Sequence, residues 1–269
     1  MKYSFAGNRA AVLKRMYELG LDVVKVWAVE GSYLEKFLVS EGIEFETIAD
    51  KAAFFENIKD EEFDVFVSNG LPIILPQSIL EIKGKLFLNV HPSILPELRG
   101  RDPVPGALLY SKQSGATCHY MDAGIDTGEV ISQVIIENTD DLDAGLLYQL
   151  SFLAEADAFE QAYKNDFKAS NVNKGEGSYY SFEPEDLCID LINDSVEKIR
   201  ARIKAFATNN KGAFFCIGDE KYRCRDMDIL MNDYLYSKFR QEDDISIILK
   251  YECYVLVKKG DIIIRFELY

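Results

Sequence analysis

The sequence predicts an α/β fold: a mostly parallel sheet with helices on both faces, followed by a smaller, mostly β C-terminal domain. Three observations carry this. Short apolar runs alternate with helical periodicity through residues 1–165. A stretch rich in Asn, Ser, Lys and Gly then interrupts the pattern at 168–181. Beyond it, turn residues separate strand-length apolar runs.

In order, residues 2–6 form an apolar strand ending at Gly7-Asn8. Residues 10–19 carry helical spacing at Val12, Leu13, Met16 and Leu19, stopped by Gly20. A strand at 23–29 precedes a helix at 34–41, and 63–68 and 85–90 are further buried-type strands. Two more strands, at 117–121 and 129–136, flank the turn 122–128, and a helix over 142–164 closes the domain. Strands separated by helices make the first domain, residues 1–168, Rossmann-like. In such sheets ligands sit beyond the carboxyl ends of the strands, so three places matter by topology: Gly7-Asn8-Arg9, Ser68-Asn69-Gly70, and the chain after Asn89.

Residues 169–180 read as a linker and 181–269 as the second domain. It opens with a helix at 195–207. Strands at 213–216 and 221–224 flank Gly218-Asp219, and strands at 254–257 and 262–266 flank Lys259-Gly260-Asp261. The strands of this C-terminal hairpin are apolar enough either to pair across a homodimer's two-fold axis or to complete the chain's own sheet.

Bulk properties exclude several classes. The net charge of −15 opposes a long nucleic-acid partner, which needs a basic surface to displace condensed counterions. No apolar run approaches the roughly 20 residues that span a bilayer, so no membrane partner is expected and the cytoplasm is the expected location. Five scattered cysteines without a CxxC pair argue against a disulfide framework or a zinc ribbon. Cys118 and Cys253 lie in strand-like runs and are expected to be buried thiols. Two histidines make a multi-His metal site improbable, and no metal is expected.

The densest polar motif runs from Asn89 to Gly100. Strand alternation puts Asn89 and His91 on one face at a carboxyl end. Further on, Met121-Asp122-Ala123-Gly124-Ile125-Asp126-Thr127-Gly128 holds two carboxylates in a glycine-rich turn. These groups suit acyl transfer to an amine. An amide NH₂ and an imidazolium stabilise a developing oxyanion, while a His or carboxylate relays the amine's proton. A neighbouring carboxylate is expected to raise the His pKa and orient the ring.

The spaced pattern Asn89-x-His91-x-Ser93-x-Leu95-Pro96-x-x-Arg99-Gly100, followed by the Met121–Gly128 segment, resembles the tetrahydrofolate-dependent formyltransferases. The likeness extends upstream through Ser68-Asn69-Gly70 to Leu75-Pro76. It implies Asn89, His91 and Asp126 as the catalytic trio and N10-formyltetrahydrofolate as co-substrate. It aligns Pro72, Ile73, Ile74, Leu75, Met121 and Asp122 with the segments facing the pterin, and it leaves His119 a structural role.

Within that family, glycinamide ribonucleotide enzymes usually end with the first domain, whereas this chain continues. The tRNA-formylating members tend to carry a basic second domain. Residues 175–269 hold 18 Asp/Glu against 14 Lys/Arg, a local net of −4 and the wrong sign for a tRNA platform. The resemblance is therefore greatest to sugar-nucleotide N-formyltransferases. It implies a nucleotide-linked amino-deoxysugar of bacterial surface glycans as the amine, with Arg9, Arg99 and Arg101 as candidate ligands for its diphosphate. The family's Trp-Pro stretch in the second domain is replaced here by Thr208-Asn209-Asn210-Lys211. Competing readings are a methionyl-tRNA formyltransferase, a formyltetrahydrofolate hydrolase, and a folate- or nucleotide-binding protein on an inactive scaffold.

Overall fold

The computed structural model describes residues 1–170, 175–208 and 211–269, so part of the expected linker and the centre of the Thr208-Asn209-Asn210-Lys211 stretch lie outside the described residues. The chain forms two compact units. In chain order the elements up to residue 164 are β1 (Lys2–Gly7), α1 (Ala11–Glu18), β2 (Asp22–Val29), α2 (Tyr33–Glu41), β3 (Glu46–Ile48), α3 (Lys51–Asp60), β4 (Val65–Asn69), α4 (Gln77–Leu80), β5 (Leu86–His91), α5 (Pro103–Leu109), β6 (Ser114–Tyr120), β7 (Val130–Ile136) and α6 (Ala144–Lys164).

The first unit comprises Met1–Pro103, Gln113–Asn138 and Gln149–Tyr180. Its seven strands are ordered β3-β2-β1-β4-β5-β6-β7. The pairs β2–β3, β1–β2, β1–β4 and β4–β5 are parallel, while β5–β6 and β6–β7 are antiparallel. The order reverses between β1 and β4, which is where a doubly wound sheet opens a crevice at its carboxyl edge.

Both faces of this sheet are buried, because each strand carries apolar residues at odd and even positions alike. One face sends Tyr3, Phe5, Val26, Val65, Val67, Leu88 and Val90 against Leu13 and Met16 of α1, Leu34 and Leu38 of α2, and Ala158 and Phe159 of α6. The other face is aromatic: Trp27, Phe66 and Phe87 pack with Phe54 and Ile58 of α3 and with Phe63. Trp27 meets Phe54 edge-on at 5.6 Å, a favoured aromatic geometry. Helices α2 and α3 start on side-chain caps, Ser32 accepting from Glu35 N–H and Asp50 from Ala53 N–H.

The second unit comprises Val104–Lys112, Thr139–Tyr148 and Ser181–Tyr269. Its later elements are α7 (Val196–Phe206), β8 (Phe214–Ile217), β9 (Glu220–Leu230), α8 (Asp233–Lys238), β10 (Ile245–Tyr251), β11 (Tyr254–Lys259) and β12 (Ile262–Leu268). The antiparallel sheet is ordered β10-β11-β12-β9-β8. Ile199 and Ile203 of α7 cluster with Phe215, Val255, Ile264 and Phe266 from the strands.

β12 pairs with β11 on one side and β9 on the other, so it lies inside the chain's own sheet, whose edge strands are β10 and β8. One expectation is corrected here. Cys253 is exposed because it sits in the β10–β11 turn, next to Glu252 at φ 48°. The buried thiols are Cys118 on β6 and Cys224 on β9.

Candidate active site

Strand β5 ends in Asn89-Val90-His91, and three neighbours converge on it. Because β6 runs antiparallel to β5, His119 stands directly opposite Asn89. The β6–β7 turn then returns Asp126 to the same place. That turn is fixed locally: Asp122 Oδ1 accepts from the Gly124 N–H at 3.0 Å and from the Thr127 hydroxyl at 2.5 Å. Asp126 itself adopts φ 54°. At Gly128 a side chain cannot be added, since a Cβ would fall 1.8 Å from the Tyr120 carbonyl oxygen.

The segment after His91 folds back over the strand end. Ser93 Oγ donates to the Glu97 carbonyl at 2.7 Å, and Leu98 takes φ 57°. This brings the Leu98 carbonyl to 2.9 Å from His91 Nε2 and the Gly100 N–H to 2.9 Å from Asp126 Oδ2.

These contacts assign the protons. A carbonyl oxygen only accepts, so His91 carries its proton on Nε2, and Nδ1 faces Asp126 Oδ2 at 3.6 Å. His119 Nδ1 likewise donates to the Tyr120 carbonyl at 2.8 Å, which leaves Nε2 to accept from Asn89 Nδ2 at 3.1 Å. The second Asn89 N–H donates to Asp126 Oδ1 at 3.2 Å. Asn89, His91, His119 and Asp126 therefore form one connected polar group.

Burial lowers the pKa of His91, outweighing the attraction of Asp126 and the hydrogen bond to Leu98. This reverses the expected elevation: the resting ring is a neutral imidazole with a basic Nδ1. Burial also pushes the Asp126 carboxyl up, but attraction to His91 in its protonated form, together with the Gly100 N–H, outweighs it and holds the group well below the ordinary carboxylate range. The resting pair is a neutral His91 beside an ionised Asp126.

The other expected site residues divide. Pro72 and Ile74 are exposed, Ile74 at 55%, while Ile73 and Met121 are partly covered by the aromatic core and Leu75 is buried within it. Asp122 is exposed and spends one carboxylate oxygen on its own turn. Arg99 donates from Nη1 to the Glu176 carbonyl at 3.2 Å, and its backbone pairs with Ser178 and Tyr180. Arg101 is largely solvated, with Nε 3.3 Å from Asp102.

Arg9 has an ion-pair partner within the protein. Its Nη2 lies 2.9 Å from Oε1 of Glu155, a carboxyl with no solvent exposure. His119, given a structural role from the sequence, is the hydrogen-bonded neighbour of Asn89, and Glu155 was not singled out there. Their signals were an antiparallel pairing, and a Glu set among Ser151, Ala154, Ala158, Phe159 and Ala162 on the buried stripe of α6.

Known proteins are similar in sequence and in fold. Residues 36–162 match the model of the formyl transferase family. The chain carries a formyl transferase domain. That domain holds Asn89, His91, His119, Asp126 and Glu155, while Arg9 precedes the matched residues. Among curated relatives, methionyl-tRNA formyltransferases of Francisella tularensis are similar. The subspecies novicida protein is 32% identical over 178 residues, 65% of this chain and 56% of its own length. A subspecies holarctica protein is 30% identical over 215 residues, 79% of this chain and 66% of its own length. The chain thus spans 56–66% of the length of these relatives.

Solved structures share the fold along the chain. The sugar 3N-formyltransferase WlaRD, with dTDP and 5-N-formyl-THF, superposes with a TM-score of 0.68 at 20% identity over 100% of this chain and 97% of its own. The N-formyltransferase from Helicobacter canadensis, in complex with folinic acid and dTDP-3-aminofucose, gives 0.67 at 18% identity over 100% and 99%. No group of three or more His, Cys, Asp or Glu placed to hold a metal ion is found among the described residues.

Proposed function

We propose that the chain transfers the formyl group of N10-formyltetrahydrofolate to the amine of a nucleotide-linked amino-deoxysugar. One observation carries the chemistry: a neutral, basic His91 beside an ionised Asp126, with the Asn89 NH₂ steered by both Asp126 and His119, at the carboxyl end of β5 in a formyl transferase domain.

The donor supplies an activated formyl carbon, and the chain's residues act around it. Asn89 exchanges one of its two resting hydrogen bonds for the formyl oxygen, where negative charge develops as the amine adds. His91 Nδ1 takes the proton released by the attacking amine, and Asp126 stabilises the imidazolium so formed. The proton then returns to N10 as the C–N10 bond breaks. The Leu98 carbonyl holds the ring in the required tautomer throughout. Exposed Ile74 and Ile125 offer apolar surface to a flat ring system in the segments aligned with the pterin.

Two observations favour a sugar nucleotide as acceptor. The local net charge of −4 over residues 175–269 suits a small ligand better than a polynucleotide. The Helicobacter canadensis protein, of the same fold over the whole chain, is in complex with dTDP-3-aminofucose. A methionyl-tRNA acceptor is favoured instead by the identity of the curated relatives. The test is to offer dTDP- and UDP-linked amino sugars with N10-formyltetrahydrofolate and to follow tetrahydrofolate release. Asn89→Ala and His91→Asn are expected to lower kcat by about 10²–10³. Turnover on charged initiator tRNA with none on any amino sugar sinks the sugar reading. Release of formate with no amine present marks a hydrolase.

A further inference from the structure

Glu155 lies on α6 with its carboxyl fully buried, and two elements face it. From the β1–α1 turn comes Arg9, whose Nη2 is 2.9 Å from Oε1. From the end of β4 comes Asn69, itself fully buried, whose side chain favours the ionised form of the same carboxyl. Asn69 then continues the connection: its Nδ2 donates at 3.1 Å to the carbonyl of Val90, the residue between Asn89 and His91. Arg9 is clamped from its other side by the Phe152 ring, 5.8 Å from the guanidinium carbon.

We propose that Glu155 is a positioning residue for the reaction: it fixes the Arg9 guanidinium at the mouth of the sheet, next to Asn69, whose amide holds the strand end that carries Asn89 and His91. Burial pushes the carboxyl up to about 7, while Arg9 and then Asn69 oppose the rise. Near neutral pH the group therefore exchanges between a carboxylate that pins Arg9 and a neutral acid that does not.

The inference rests on formyl transfer as the reaction, and its test has an arm that needs no substrate. In Glu155→Gln the shape and the contact with Asn69 are kept and the charge is lost. The variant is expected to lose about tenfold in kcat above pH 7, with KM for the amine substrate raised, as displaced reacting groups do. The inflection near pH 7 in the wild-type kcat/KM profile is expected to vanish. Without substrate, the Arg9 Nε–H resonance, assigned through Arg9→Gln, is expected to exchange slowly at pH 8 in the wild type. In Glu155→Gln it is expected to exchange fast. Wild-type rates, an unchanged pH profile and unchanged Arg9 exchange in Glu155→Gln overturn the proposal. Altered Arg9 exchange in a protein that formylates no amine upholds the positioning role and overturns the proposed reaction.

Discussion

At the scale of single residues, Asp126 gathers the polar contacts of the candidate site. One carboxylate accepts from Asn89 and from the Gly100 N–H and faces the imidazole nitrogens of His91 and His119. Asp126→Asn is nearly isosteric but removes the charge that stabilises a protonated His91. It is expected to cut kcat by at least about 10²-fold with little change in substrate affinity, measured by steady-state kinetics. Since burial holds His91 below its ordinary 6.5, its limb of the pH profile should fall below that value, apart from the inflection assigned to Glu155; a limb above 6.5 that shifts in His91→Asn contradicts this. Glu155 supplies a stability prediction with a definite sign. Its folded pKa is raised from 4.5 to about 7, so the folded state holds the proton more tightly. The wild type then loses stability as pH rises through that window, by about 3 kcal/mol in full. Urea unfolding at pH 5 and pH 8 should show Glu155→Gln gaining by that order relative to the wild type between the two. Among these residues, the trio of Asn89, His91 and Asp126 was visible in the motif. The proton assignments were not, because they depend on where the Leu98 and Tyr120 carbonyls fall.

At the scale of elements, the antiparallel β6 matters most. The apolar runs at 117–121 and 129–136 mark a hairpin but not its partner. With β6 seated beside β5, His119 moves from a structural strand position to the hydrogen-bonded neighbour of Asn89. Strands β1, β2, β4 and β5 were legible because each is a compact apolar run. β3 escaped because three residues carry no periodicity, and β10 because Ile247-Ile248-Leu249 breaks the apolar–polar alternation between Ser246 and Lys250. Helix α3 did carry a signal, an Asp50 cap with Phe54 and Ile58 at i, i+4 spacing, which glycine stops alone do not reveal. The packing of strand ends gives a prediction here. Gly7→Ala places a methyl within 2.1 Å of the Asn69 carbonyl oxygen, where backbone cannot yield cheaply. It should destabilise the protein by about 1–3 kcal/mol in urea unfolding, and lower activity because Asn69 leads directly to β5.

At the scale of the whole molecule, charge discriminates between acceptors. A net of −15, with −4 over residues 175–269, leaves no evident counterion-releasing surface. Initiator tRNA is expected not to compete with an amino-sugar substrate at physiological salt, and the KM for that substrate should depend only weakly on ionic strength. The polar stretch at 168–181 precedes the longest segment of the second unit, Ser181–Tyr269. That segments Val104–Lys112 and Thr139–Tyr148 group with it could not be read from the sequence, since a linear pattern of periodicities cannot show which distant stretches share a core. The aromatic face of the first unit also decides how unfolding can be watched. The single tryptophan, Trp27, is buried edge-on against Phe54, and no other indole contributes emission. Tryptophan fluorescence therefore reports on the melting of one unit alone, whereas far-ultraviolet circular dichroism sums both. Curves from the two probes that coincide would show the chain coming apart as a single cooperative body; curves that separate would time the loss of the catalytic sheet against the rest.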